Sequence, residues 1–147
     1  MKEEFVTKGI ARKLKEKGFK EGCFGYYLTG GDTLIFNYNQ WRGGCYEDCL
    51  YSHESLGKDV VGSDLIDVPT ISQTLEWLRK EKGLHIEITA SAFGYSYIIS
   101  KTPVFGGTDI KFSKYDGPND GGAWDGWREC ILAGIEYILD NLIRNEF

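Results

Sequence analysis

Residues 70–101, TISQTLEWLRKEKGLHIEITASAFGYSYIISK, decide how this chain folds. Thr70-Ile71-Ser72-Gln73 fits a capping box, with Thr70 satisfying an early helix amide and Gln73 reaching back, and Pro69 stands just outside it. Ile71, Leu75 and Leu78 recur at helical spacing with Trp77 beside them, and Gly83 supplies the left-handed stop. The period then changes to two. Leu84, Ile86 and Ile88 point one way, while His85, Glu87 and Thr89 point the other, as in a half-exposed antiparallel strand. Residues 91–94 turn the chain into a second arm at 95–101, so a helix feeds a hairpin.

The same grammar appears upstream. Val6, Ile10 and Leu14, widened by Phe5 and Ala11, predict an amphipathic helix over 3–17 that stops at Gly18. Two strand-like runs, 23–29 and 33–38, flank Gly30-Gly31-Asp32 and predict a hairpin. Phe24, Tyr26 and Leu28 share one face, as do Leu34, Phe36 and Tyr38. Lys15-Glu16-Lys17-Gly18 and Lys80-Glu81-Lys82-Gly83 close the two helices alike, a faint repeat that many helix ends also show. Residues 39–68 read as a long polar and aromatic connection with a helical turn near 47–52. Downstream, 108–113 reads as a further strand, 115–122 (YDGPNDGG) as a loop, and 125–144 as a closing helix. That helix has Trp127, Ile131, Ile135, Ile138 and Leu142 on its apolar stripe. The expected architecture is one α+β domain over 1–147, in the order αββαββ(β)α. It has an antiparallel sheet of four to five strands with helices packed mainly on one face.

The 147 residues suit one ordinary domain, and 41% hydrophobic residues with 19 Gly exclude wholesale disorder. The 21 aromatic residues suit sheet surfaces and recognition faces alike. No apolar run approaches the roughly 18 residues of a membrane span, and the start Met1-Lys2-Glu3-Glu4 lacks a signal-peptide core. The expectation is a cytoplasmic protein with reduced cysteines. Net charge is −5, from +3 over residues 1–21 and −8 over residues 22–147, so most of the surface would repel phosphates.

The run Phe5-Val6-Thr7, Ala11, Leu14-Lys15-Glu16-Lys17-Gly18-Phe19 and Cys23-Phe24-Gly25-Tyr26-Tyr27, followed by Pro69-Thr70, Gln73, Trp77-Leu78-Arg79 and Glu81, resembles a set of small uncharacterised proteins. These are encoded by phages and integrated mobile elements of gut bacteria. The resemblance covers about residues 5–27 and 69–90. It implies a mobile-element context and transfers no catalytic residue.

Several constellations carry possible chemistry. Cys45, Cys49 and His53 would share one helical face, so they could converge on zinc with Cys23 or Glu54 as a fourth ligand. The plainer reading is that reduced cysteines pack as small hydrophobes. Cys49 and His53 could also form a thiol–imidazole pair, but no orienting third group accompanies them. The loop Asp116-Gly117-Pro118-Asn119-Asp120-Gly121-Gly122 lacks the alternating ligand spacing of an EF-hand, and Asp125 suits a helix start. Gly30-Gly31 and Gly106-Gly107 lack the context of a phosphate-binding loop, and His85 reads as a solvated surface histidine.

Trp41, Tyr46 and Tyr51, with Tyr115 and Trp124, could instead form a contact surface, or fold back over the sheet as a satellite core. The favoured expectation is a non-enzymatic module without a cofactor that binds a host or element-encoded protein through loops 39–60 and 115–127. Two alternatives come from other classes. One is a zinc-binding or thiol-dependent enzyme centred on Cys45, Cys49 and His53. The other is a nucleic-acid accessory protein using Arg12, Lys13 and Lys17 of the basic first helix.

Overall fold

The computed structural model describes residues 2–28, 30–36, 65–104, 107–114 and 117–144. They form an α+β fold whose chain divides into two compact units, one within Met1–Gln73 and one spanning Thr74–Arg144.

In the first unit, helix α1 (Lys8–Glu16) buries Ile10, Ala11 and Leu14, the spacing expected of its apolar stripe. It starts later than the hydrophobic pattern predicts. Lys2–Glu4 is a 3-10 turn, Phe5 forms an isolated antiparallel bridge with Thr70, and the Val6 amide donates to the Pro69 carbonyl at 3.2 Å. Those backbone bonds hold Phe5 and Val6 extended. Thr7 then caps the helix, its Oγ1 accepting from the Ile10 amide at 3.3 Å. Gly18, at φ 96°, ends it, and the Phe19 amide reaches back to the Leu14 carbonyl at 3.0 Å.

Strands β1 (Gly25–Leu28), β2 (Ile35–Phe36) and β3 (Leu65–Val68) form an antiparallel sheet in the order β2-β1-β3. The expected first hairpin is present, pairing Gly25 with Phe36 and Tyr26 with Ile35. Its buried face is not the one with most large residues. Cys23, Gly25 and Tyr27 are buried with their partners Val68 and Ile66, whereas Phe24 and Tyr26 are half-buried and Leu28 is 48% exposed. Gly25 explains the choice. A Cβ there would lie 3.0 Å from Leu34 Cδ1 and 3.1 Å from Phe5 Cε1, so these two side chains occupy the room a side chain would need. The core closes onto the strand at the one position without a side chain.

Strand β3 corrects the reading of 39–68 as connection throughout. Its last four residues pair with β1 from Gly25↔Val68 to Leu28↔Leu65, burying Leu65, Ile66 and Val68. The proposed helical turn near 47–52 lies outside the described residues.

Helix α2 (Ile71–Lys82) begins in the first unit and continues into the second. Thr70 caps it as expected, accepting from the Gln73 amide at 3.0 Å. The Gln73 side chain does not close the box; its Nε2 donates to the Gly22 carbonyl at 2.7 Å. The oxygen that would accept from the Thr70 amide in the box, Gln73 Oε1, is buried without a hydrogen-bond partner, so the tertiary bond of Nε2 sets the side chain's orientation. The buried stripe is Ile71, Thr74, Trp77 and Leu78, with Leu75 half-buried. Gly83 stops the helix at φ 67°.

In the second unit, β4 (Leu84–Ser91), β5 (Gly94–Val104) and β6 (Gly107–Lys114) form an antiparallel meander with β5 in the centre. The expected alternation of β4 is clear at Leu84 and Ile86, which are buried, and at Glu87 and Thr89, which are exposed, whereas His85 and Ile88, expected on opposite faces, are both half-buried. Ile86 pairs with Ile99 and Ile88 with Tyr97. Helix α3 (Trp127–Asn141) packs on β4 and β5. Its buried face is wider than the expected stripe, taking in Cys130, Leu132 and Leu139 beside Ile131, Ile135 and Ile138. The stripe's two ends are outside the core, since Trp127 is 47% exposed and Leu142 is also exposed. Among the described residues the strands thus form two three-stranded sheets, where the sequence reading expects a single sheet of four to five. No helix of the described residues is long and apolar enough to cross a membrane.

Candidate functional site

The second hairpin turns through Ala92-Phe93, and Ser91 pairs with Gly94. Phe93 is 67% exposed, an unusual place for a large ring where turn chemistry favours small or polar residues. Its backbone is fixed nonetheless. The Phe93 amide donates to Ser91 Oγ at 3.2 Å, and its carbonyl accepts from Asn119 Nδ2 at 2.8 Å. A Cβ at Gly121 would fall 2.6 Å from Phe93 Cβ and Cδ1, so only glycine lets the loop lie against this ring.

Residues 117–126 form a built loop with Asn119 as its hub. Asn119 Oδ1 accepts from the Gly121 amide at 3.0 Å and the Ala123 amide at 2.8 Å. Its Nδ2 donates to Phe93 O and to Asp125 Oδ1 at 2.9 Å. The side chain therefore serves two donors with its oxygen and two acceptors with its nitrogen, which fixes the amide orientation. Further bonds close the loop, from the Asn119 amide to Ala123 O at 3.1 Å and from the Gly117 amide to Gly122 O at 2.7 Å. Asn119 spends its oxygen on amides, so it is not placed to hold a cation.

The loop is also tied to the sheet. Tyr95 and Trp124 exchange backbone hydrogen bonds at 2.8 and 2.9 Å, extending the pairing at the start of β5. Gly94 permits this with φ 126°, and a Cβ there would collide with the Trp124 carbonyl. The half-buried Trp124 ring lies 5.3 Å from the Tyr97 ring, and Tyr137 of α3 stands 6.5 Å away on Tyr97. Of the aromatic residues singled out in the sequence, Trp124 thus folds back onto the sheet. Trp41, Tyr46, Tyr51 and Tyr115 lie outside the described residues.

Cys45, Cys49 and His53, the candidate zinc ligands and thiol pair, also lie outside them. Cys23, offered as a fourth ligand, is fully buried, its Sγ donating to the Glu21 carbonyl at 3.5 Å. Burial, then the charges of Asp67 and Glu21, push this thiol far above its usual range. Burial pushes Cys130 up to about 11. Both sit in packed surroundings, where burial opposes the thiolate form of the free thiol. Among the described residues, no three His, Cys, Asp or Glu side chains gather closely enough to hold a metal ion. On α1, Arg12 is exposed and Lys13 half-buried, and Lys17, which follows the helix as its C-cap, is half-buried.

Sequence reasoning missed Phe93 and the role of Asn119. The available signal for Phe93 was a large ring inside a two-residue turn; for Asn119 it was the Asx-turn pattern Asn119-Asp120-Gly121, while its bond to the distant Phe93 carbonyl left no mark in the sequence. No protein-family model, curated protein or solved structure matches the chain.

Proposed function

We propose that this chain is a non-enzymatic protein-interaction module, an accessory protein of a phage or mobile element, that binds a host or element-encoded protein. The carrying observation is Phe93: a large ring exposed to water on a backbone that its neighbours immobilise. Rigid aromatic side chains make effective binding anchors because little freedom remains to be lost on association. Asn119 Nδ2 joins the segment bearing Phe93 to Asp125, two residues before Trp127, a second exposed large ring. Loop 117–126 supplies the support for this face, with Trp124 as its fastening to the sheet.

The test pairs wild type with a Phe93→Ala/Trp127→Ala double variant as baits in quantitative affinity purification from bacterial lysate. The expected result is at least one protein enriched by wild type and lost by the variant, with melting temperatures within about 2 °C, because exposed side chains contribute little to stability. A large drop in melting temperature, or equal capture by both baits, overturns the reading.

A further inference from the structure

We infer that the Phe93 face binds a cationic protein segment, one that presents an arginine beside an apolar side chain; this rests on the interaction reading above. Charge complementarity carries the choice. Residues 84–100 and 117–127, which build the hairpin and its supporting loop, contain no Lys or Arg, and their acids are Glu87, Asp120 and Asp125. Asp120 and Asp125 are exposed. Asp120 adjoins Gly121, the residue pressed against the Phe93 ring. Asp125 meets the Phe93 carbonyl at the same Asn119 nitrogen.

Lys114 and Arg128 lie beyond these two stretches, and within them the formal charges next to the exposed ring are carboxylates, which favours partners in a definite direction. A guanidinium stacks on an aromatic face and forms charge-assisted hydrogen bonds with carboxylates in one placement. An acidic segment at the same place would bring like charges together. Asp125 engages Asn119 through one oxygen, and a carboxylate can accept several further bonds. The apolar neighbour required of the partner covers the remainder of the ring, where burial gives the attraction its strength.

The probe is a displayed library of random dodecapeptides selected on the immobilised full chain. Selected peptides are then synthesised and titrated by fluorescence anisotropy against wild type, Phe93→Ala, Phe93→Leu and Asp120→Asn. The expected peptides carry Arg or Lys next to an aliphatic or aromatic residue. Phe93→Ala weakens them at least about tenfold, as truncating a central anchor does. Phe93→Leu, which keeps an apolar group against Gly121, weakens them less. Asp120→Asn, and raising salt from about 0.05 to about 0.3 M, each weaken them about threefold, as a rim charge does. Neutral or acidic peptides that still depend on Phe93 overturn the cationic assignment and leave the interaction reading standing. Cationic peptides indifferent to both Phe93 variants overturn the assignment to this face. A selection that yields no binding peptide at all overturns both readings.

Discussion

The two units solve one problem by different routes. Each sets a helix with a glycine stop before a three-stranded antiparallel sheet, and the stops share the run Lys-Glu-Lys-Gly. In the second unit the sheet is a meander whose neighbours follow one another along the chain, with β5 in the centre. In the first unit the central strand β1 is completed by β3, which pairs Leu28 with Leu65 across a long stretch of sequence. Local pairing leaves clear marks: alternation, a short turn, a second arm. Distant pairing leaves few. A four-residue strand such as Leu65–Val68 carries too little periodicity to declare itself, and its identity emerges from the partner.

The largest test of this comparison removes the core of each unit. Ile138→Ala in α3 and Leu14→Ala in α1 both empty fully buried positions, and each is expected to cost about 3 kcal/mol in urea unfolding. A much smaller loss for Leu14→Ala would show that the unit built from distant pairing is less tightly packed than the meander.

Glycine substitutions sharpen the contrast at the next scale. Gly94→Ala must hold a non-glycine residue at φ 126° and push against the Trp124 carbonyl, an expected loss of about 2 kcal/mol. It should also free the loop, which a changed tryptophan fluorescence would report. Gly25→Ala meets only the movable ends of Leu34 and Phe5, and should cost about 1 kcal/mol. The reverse order would mean that strand packing in the first unit is less forgiving than the loop fastening in the second.

Alkaline pH acts on both units, because buried Cys23 in the first and Tyr97 and Cys130 in the second all hold their protons above the usual range. Burial, with Tyr137 and Cys130 as further causes, pushes Tyr97 up to about 12, while an unfolded tyrosine ionises near 10. Between those values the unfolded chain has released a tyrosine proton that the folded chain retains, so the Tyr97 contribution to stability is fully present below pH 10 and is lost as pH rises toward 12, on top of the earlier loss from the buried thiols. Urea titrations at successive pH values measure the fall. Tyr97→Phe should flatten it over that window, and an unchanged slope would place the linkage elsewhere.

Helix caps provide the smallest effect. Thr70→Ala should cost about 1 kcal/mol, and Thr7→Ala somewhat less, because its bond to Ile10 is longer at 3.3 Å against 3.0 Å. Thermal unfolding of the two variants compares them directly.

Much of the second unit was legible from its residues, since Leu84, Ile86 and Gly83 act through immediate neighbours. The first hairpin was legible as a hairpin but not in its facing. Three large side chains, Phe24, Tyr26 and Leu28, marked one face by count, yet Gly25 and Tyr27 face the core. The exposed Trp127 shows the same limit at a helix end, where an apolar residue continues the pattern after the core has stopped. Of the site, the sequence indicated loop 115–127 and Trp124. It did not indicate that Trp124 turns inward or that Phe93 stands outward on bonds from Asn119.

By itself the sequence determined the helix stops, the Thr70 cap, the alternation of β4 and the α+β class. Each of these depends on backbone geometry and residues a few positions apart. Tertiary structure alone decided the pairing of β3 with β1, the buried face of β1, the partner of Gln73 and the rigid presentation of Phe93. Those outcomes depend on which distant groups the fold brings within reach of a hydrogen bond or an unfilled space, and Gly25 and Gly121 matter there through the room they leave open.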